Sequence, residues 1–464
     1  MFRFSVFRYA ALLLVLLLAP AGPSAATDML TTVQTALYAG HTQAAGDAAR
    51  ARLAISPDDD QARFALGAVQ FLQAIEHLGH NLYRYGPRPP YGQPAGLAEL
   101  PILRLPVPKN PHPEAITYEE LRTTLEEFLG DLQAADTTLA AVGPGPVELP
   151  LNIGLIRLDL RGDGAASEDE SLWRIFVAVT GYRGPINDPA GQLLTDFDGS
   201  DVPWLRGYCN LLMAIAEFPL AYDWHEAFEA TFQALFPAGA FRHPDLAQRD
   251  RELRAQLDAL GAWPEPPRPL PGQPLLPGEY QAWWNSPAGQ KYQEKQRIAE
   301  PLTFSGIADL IAFVHLAHWQ VIQPARLADV LRHLEAMVGF SRENWRRIMA
   351  DTSTGRRWIP NPQQTGVLPN MRVTPALVAA WRQFLDEFNA VLQGKKLIPH
   401  WRFERGINLR RLLLEPQPFD PVLLIQGSAA LPYLENGPLV TSAATATIMA
   451  AFGGDFFRYF VWFN

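Results

Sequence analysis

The sequence predicts a mainly α-helical protein with long proline-rich loops. Apolar residues recur at helical spacing, and the segment 117–141 shows this most clearly. One stripe of that segment contains Leu121, Leu125, Phe128 and Leu132. Alternating strand patterns are nearly absent. Many of the 41 prolines fall in two connectors, at 86–114 and 264–277. We therefore expect an irregular multi-helix protein.

Composition narrows the class of protein further. The chain has 464 residues, of which 48% are hydrophobic and 19% charged, as in folded proteins of one to three domains. A net charge of -9 makes nucleic acid and anionic membrane poor candidates for partners. Cys209 is the only cysteine, so no intramolecular disulfide forms. It lies in an apolar helical pattern, which predicts a buried, unreactive thiol.

Residues 1–26 have the order of a secretory signal. Arg3 and Arg8 provide positive charge, residues 10–19 are apolar, and small residues lead up to Ala26. The apolar run is too short to span a bilayer. The pattern predicts cleavage after Ala26 and a periplasmic or secreted protein with no stable membrane span after processing. The alternative is an uncleaved N-terminal anchor.

The segment after the signal, residues 27–86, has small, large and terminating residues at a recurring spacing. They are Gly40, Ala45, Leu53, Pro57, Leu66 and Gly67. The segment resembles the tetratricopeptide repeat over about one and a half repeats. That resemblance implies paired helices and a protein or peptide partner. Because repeat arrays need about three units for stability, we expect these helices to dock on a larger helical body.

The stretch 159–170 is similar to a 12-residue EF-hand calcium loop. Its predicted ligands are Asp159, Asp163, the carbonyl of Ala165, Ser167 and Glu170, with Gly164 at the turn. Arg161 departs from the pattern, because it replaces an oxygen ligand with a cation. We expect a weak, structural calcium site. In the alternative interpretation, Ser167 and Glu170 form a capping box and no metal binds.

Histidines offer candidates for a metal-dependent or other hydrolase. His77/His80 and His315/His318 are both His-x-x-His pairs, whose members share a helix face. The region around His400, within 395–403, is dense in Trp, His and Arg. The alternatives are hydrogen-bonded core histidines and an aromatic cluster covering a helix at 374–393. No nucleophile-elbow, Walker or dinucleotide-binding motif is present in the sequence.

The chain divides into five segments by composition. After the signal and the repeat-like segment come a proline-rich connector with one helix (87–150), a helical body containing the calcium-like loop (151–395), and an aromatic-rich C-terminal segment (396–464). Within the last, residues 422–426 resemble a short strand, and the aromatic end at 456–464 is expected to be buried in the core. These features favour an exported binding or scaffolding protein, with a hydrolase as the alternative.

Overall fold

The computed structural model describes residues 23–88, 105–180, 182, 193–236, 238–267, 277–353, 355–368 and 371–463. The described chain is mainly helical with a few short strands, which confirms the predicted fold class. All but the last four residues of the predicted signal segment lie outside the described residues.

Four helices form the N-terminal part. They are α1 (Pro23–Tyr38), α2 (Thr42–Ile55), α3 (Asp60–Tyr85) and α4 (Tyr118–Ala140). Each packs against the next along the chain. The Asp59 carboxylate caps α3 by accepting from the Ala62 N–H, and Thr117 and Glu120 form a capping box at α4. Gly67 permits the close approach of α3 and α4, because a Cβ there would lie 2.6 Å from the Leu139 side chain. The first three helices thus dock on α4 through α3.

The centre of the body is built around one apolar helix. The elements are α5 (Leu172–Thr180), α6 (Asp201–Leu220), α7 (His225–Thr231), α11 (Pro324–Ala350) and α12 (Pro375–Leu392). Helix α6 packs against both α4 and α11, so it is apolar around most of its circumference. Cys209 is fully buried in this helix, as predicted.

A smaller core lies beside the main one. It joins α8 (Pro244–Ala259) to the first half of α10 (Pro287–His315), with α9 (Pro277–Trp284) packed on α10. Its buried residues are Leu253, Leu257, Ile298, Ala299 and Leu302. Among the described residues, α10 is the one helix with the length and hydropathy of a membrane span. Those two properties do not establish a span, because core helices of soluble proteins share them.

The strands are short and antiparallel. β1 (Glu148–Asn152) pairs with β2 (Leu194–Asp198), and β3 (Tyr222–Asp223) pairs with β4 (Gln320–Val321). A three-stranded sheet has the order β5–β6–β7. Its strands are β5 (Ile398–His400), β6 (Phe403–Ile407) and β7 (Leu434–Glu435). The strands also supply core residues: Leu149, Leu151 and Phe197 belong to the main core, and Ile407 and Leu434 to a small cluster at the C-terminal sheet.

Four helices complete the C-terminal segment. They are α13 (Leu409–Leu414), α14 (Pro421–Gln426), α15 (Ser442–Ala451) and α16 (Phe456–Phe463). The short strand expected at 422–426 is instead α14, because the Asp420 carboxylate accepts from the Leu423 N–H and starts a helical turn. The terminal aromatic segment is buried in part: Trp462 and Phe463 have no exposed surface, as expected, whereas Phe457 is 45% exposed.

Candidate functional site

A cavity of about 390 Å³ lies between α3, α5, α6 and α16. Its wall is almost entirely aromatic and aliphatic. Prominent lining residues are Phe64, Phe71, Phe128, Phe176, Phe197, Trp204, Leu212 and Phe460. The volume falls within the ~300–1,000 Å³ range of small-molecule sites in proteins.

Two helical stripes form facing walls of this cavity. Phe64, Ala68, Phe71 and Ile75 follow one another at helical spacing on α3. Trp204, Tyr208, Leu211 and Ile215 do the same on α6. The two walls meet where the rings of Phe71 and Tyr208 pack edge to face, with centroids 6.2 Å apart. The cavity therefore lies where two distant segments of the chain come together.

Two hydrogen-bond donors in the wall lack partners. The Tyr208 hydroxyl has no hydrogen-bond partner within the described part of the chain, and burial raises the pKa of Tyr208. The indole N–H of Trp358 is buried and has no acceptor among the same residues. Of the two, the Tyr208 hydroxyl belongs to the less buried residue, and a hydroxyl without a protein partner beside an apolar space favours a ligand with an acceptor atom.

The other polar side chains of the wall are satisfied or nearly so. The Thr180 hydroxyl donates to the Phe176 carbonyl, at 2.7 Å. The Asp201 carboxyl accepts from the Asp198 N–H at 2.9 Å, and burial raises the pKa of Asp201 to about 7. A second anion beside Asp201 would be electrostatically unfavourable. The site thus suits a neutral, mainly apolar molecule.

The calcium-like loop has a different geometry from an open ion site. The Asp159 carboxylate accepts from the N–H groups of Gly162, Asp163 and Gly164, at 2.9, 3.3 and 2.7 Å. The loop is preceded by β1 and an irregular segment, and a helix follows it as α5. The Asp159 carboxylate, at the first ligand position, is therefore already hydrogen-bonded to three backbone N–H groups of its own loop.

The remaining predicted ligands also have internal partners. Glu170 is fully buried, and its carboxylate accepts from Leu160 N–H and from the backbone N–H and hydroxyl of Ser167. The Ser167–Glu170 capping box is thus present. Asp163 accepts from Ala165 N–H.

Arg161 supplies a cation within the loop. Its guanidinium donates to the Ala165 carbonyl at 2.8 Å and lies 3.4 Å from the Glu170 carboxylate and 3.5 Å from that of Asp163. As arranged, the loop presents paired oxygens rather than free ones. No group of three or more His, Cys, Asp or Glu side chains arranged for a metal ion occurs in the part of the chain that the structure describes.

Two side chains of helix α3 contact the backbone of this loop. The Glu76 carboxylate accepts from the Asp159 N–H at 3.3 Å and from the Thr42 hydroxyl at 2.9 Å. Burial raises the pKa of Glu76 to about 7. His80 lies 2.5 Å from the Asp159 carbonyl through Nε2. These contacts tie the loop to the N-terminal helices and give Glu76 and His80 structural roles.

The two histidine pairs have separate environments. His77 Nδ1 lies 2.8 Å from the Asp131 carboxylate on α4, whereas its neighbour His80 faces the loop. His318 Nδ1 lies 3.2 Å from the Asp420 carboxylate, near the C-terminal sheet. The contacts of the two pairs involve different parts of the molecule, and none joins one pair to the other.

His400 also has a structural environment. Its Nε2 lies 3.1 Å from the carbonyls of Leu424 and Ile425, and its Nδ1 accepts from the Arg402 N–H. Both nitrogens are therefore used in holding the turn of the β5–β6 hairpin against α14. Neither is directed at a nucleophile or a metal.

No family model matches the chain, and no curated protein or solved structure matches it.

The sequence alone did not identify the residues that line the cavity. Their only signal is aromatic residues at helical spacing, which is the usual pattern of a packed core. Residues such as Tyr208 and Trp358 gain their significance from the space that they border.

Proposed function

We propose that the protein is an exported binding protein that holds a neutral, mainly apolar small molecule in the cavity between α3, α5, α6 and α16. One observation carries this proposal: a space of about 390 Å³ with an almost wholly apolar wall to which Tyr208 contributes its ring. Ligand sites commonly combine an apolar pocket with a few polar groups that orient the ligand.

The wall defines the chemistry of the ligand. Apolar contact supplies affinity, at ~0.8 kcal/mol for each methylene removed from water. An ether, carbonyl or hydroxyl oxygen of the ligand accepts from the Tyr208 hydroxyl, which compensates for the desolvation of that group. The carboxyl of Asp201 excludes an acidic ligand near its end of the wall. An alkyl chain or ring system with one acceptor satisfies all three conditions.

A displacement assay tests the proposal. An environment-sensitive apolar dye is bound to the purified protein and displaced by a homologous series of primary alcohols. Each added methylene should raise affinity about fourfold, the equivalent of ~0.8 kcal/mol, until the cavity is full. Tyr208→Phe should weaken the alcohols and leave alkane displacement unchanged, because only the acceptor contact is lost.

A matched pair of variants locates the binding. Ala68 lines the cavity and Ala48 does not, and both are partly buried alanines packed on the main core. Ala68→Phe fills the space and should abolish dye binding, whereas Ala48→Phe should retain it. Equal dye binding by the two variants, with both folded by circular dichroism, would rule the cavity out as the site.

The tetratricopeptide resemblance supports a protein or peptide partner as an additional proposal. A weak structural calcium ion in the loop of Asp159 is a second additional proposal, which the sequence pattern supports. The hydrolase alternative draws its support from the His-x-x-His spacing and from the residues around His400. Neither the binding of an apolar ligand nor its test depends on these three proposals.

A further inference from the structure

Exposed apolar side chains gather where the β5–β6 hairpin meets α14. Trp401 is 71% exposed and Ile425 is 68% exposed, which are high values for large apolar residues. Four further exposed apolar residues belong to the same hairpin, to α14 and to the turn after it. The full set, called here the Trp401 surface, is Ile398, Trp401, Val422, Leu423, Ile425 and Leu431.

The fold holds these side chains in a defined arrangement. The Trp401 indole N–H donates to the Ile425 carbonyl at 2.9 Å. His400 contacts the adjacent Leu424 and Ile425 carbonyls at 3.1 Å. The hairpin and α14 are thus joined at the centre of the surface, and the exposed side chains are displayed by an ordered scaffold.

Cations without carboxylate partners among the described residues lie in the same segment of the chain as Trp401. Lys395, Arg402 and Arg405 are exposed, and none forms an ion pair with a described residue. The Arg402 guanidinium lies 4.4 Å from the centre of the Trp401 ring. Within 395–405, Lys396 is paired with Glu387 at 2.6 Å, which leaves three cationic side chains and one carboxylate, Glu404.

The positive charge of this segment differs in sign from the net charge of the whole chain. A net charge of -9 argued against anionic membranes, but binding depends on the potential of the face that makes contact. Interfacial proteins combine Trp with exposed aliphatic residues that enter the headgroup boundary, and with Arg and Lys that attract anionic lipid. A carboxylate-rich protein would match the cations but not the protruding Trp, Ile and Leu side chains.

Further exposed apolar side chains occur at the end of α10. Trp319 and Phe419 exchange backbone hydrogen bonds of 2.9 and 2.8 Å, which places the segment after α10 beside the start of α14. The end of α10 itself exposes Ile311 and Val314.

We propose that the Trp401 surface docks peripherally on an anionic phospholipid bilayer, with Trp401 and Ile425 entering the headgroup boundary and Arg402 contacting lipid phosphate. The inference rests on exposed residues outside the cavity, so it stands or falls separately from the proposed ligand. Helix α14 has only six residues, too few to span a bilayer, so the Trp401 surface itself would dock peripherally.

Vesicle co-sedimentation tests the docking. The purified protein is mixed with vesicles of phosphatidylcholine alone, or of phosphatidylcholine and phosphatidylglycerol. The wild type should sediment with the anionic vesicles and be released by salt. Arg402→Gln should lower partitioning about fivefold, the equivalent of ~1 kcal/mol for one cation. Trp401→Ser with Ile425→Ser should abolish it.

Matched control variants distinguish docking through the Trp401 surface from non-specific adsorption to the vesicles. Ile55→Ser changes an apolar side chain that is 76% exposed, and Arg249→Gln changes an exposed cation on α8; both should sediment like the wild type. All variants share the same N-terminus, so residues 1–26 cannot cause a difference between them. Sedimentation of the Trp401→Ser/Ile425→Ser variant at the wild-type level, or a wild type that stays in the supernatant with both vesicle types, would overturn the proposal.

Discussion

His333 Nδ1 lies 2.8 Å from Asn210 Oδ1 inside the interface of α6 and α11. The Asn210 amide donates to the Arg206 carbonyl, so its oxygen is the atom available to accept from the imidazole. Arg332 lies 3.2 Å from His333 Nε2, which therefore acts as the acceptor. The pair requires a neutral imidazole with its proton on Nδ1. Burial and the Arg332 charge lower the pKa of His333 to about 4.

Acid should weaken the fold through His333. Because its folded pKa is below the ordinary value of 6.5, the folded protein binds the proton less readily than the unfolded chain. The free energy of unfolding should fall as pH is lowered from about 6.5 towards 4, by up to about 3 kcal/mol. Urea denaturation of His333→Gln should show a smaller decrease over this range. The exposed-site control, His112→Gln, should follow the wild type; a His333→Gln profile identical to the wild type would contradict the prediction.

Glu76 should act in the opposite direction. Its pKa is raised to about 7, so its contribution to stability is fully present below 4.5 and is lost as pH rises through 7. The melting temperature of Glu76→Gln should therefore decrease less between pH 4.5 and 7.5 than that of the wild type. Glu119→Gln, an exposed change on α4, serves as the comparison. Parallel profiles for Glu76→Gln and wild type would show that this carboxyl has an ordinary pKa.

Asp159 should be a major stabilising residue of its loop. Asp159→Ala leaves three backbone N–H groups without their acceptor, which should cost about 2 kcal/mol or more in the free energy of unfolding. Asp163 is half exposed and accepts one N–H, so Asp163→Ala should cost about 0.5 kcal/mol. Chemical denaturation of both variants measures the difference. Equal losses of unfolding free energy in the two variants would mean that the three hydrogen bonds to Asp159 do not stabilise the fold.

Calcium binding by the loop should be limited by Arg161. Its guanidinium neutralises Asp163 and Glu170 and bonds to the Ala165 carbonyl, and these are predicted calcium ligands. We expect wild-type affinity on the order of 10⁻⁴–10⁻³ M, tighter binding by Arg161→Asp, and none by Asp159→Ala. Calorimetric titration measures all three. If millimolar calcium changes the melting temperature of neither the wild type nor Arg161→Asp, the loop is a capped turn only.

The terminal helix should contribute strongly to the stability of the fold. The Trp462 indole N–H donates to the Trp358 carbonyl, and the Trp462 carbonyl accepts from the Trp204 indole. Trp462→Ala should lower the free energy of unfolding by about 3–5 kcal/mol, because a fully buried indole is lost. Met449→Ala, at an exposed position on α15, should cost far less. Thermal melting of both variants provides the measurement, and similar melting temperatures would show that α16 is dispensable.

Local chemistry made part of the fold predictable. Helical periodicity and capping residues such as Thr117 depend on side chains within a few positions of one another, so the helical class and several helix ends follow from the sequence. The burial of Cys209 and of Trp462 was likewise expected, since both lie in strongly apolar segments. The expected strand at 422–426 was wrong because one capping carboxylate, Asp420, outweighs a run of β-branched and aliphatic residues.

The sequence by itself thus determined which segments are helical and which residues are apolar and so favour burial. Tertiary structure decided which apolar faces are covered by other parts of the chain and which border a cavity or solvent. Phe71 and Tyr208 form one wall contact although they are far apart in sequence, and Trp401 is exposed although it has the same apolar character. The physical reason is that hydrophobic burial is non-directional: periodicity specifies a face, and only the packing of distant elements specifies its neighbour.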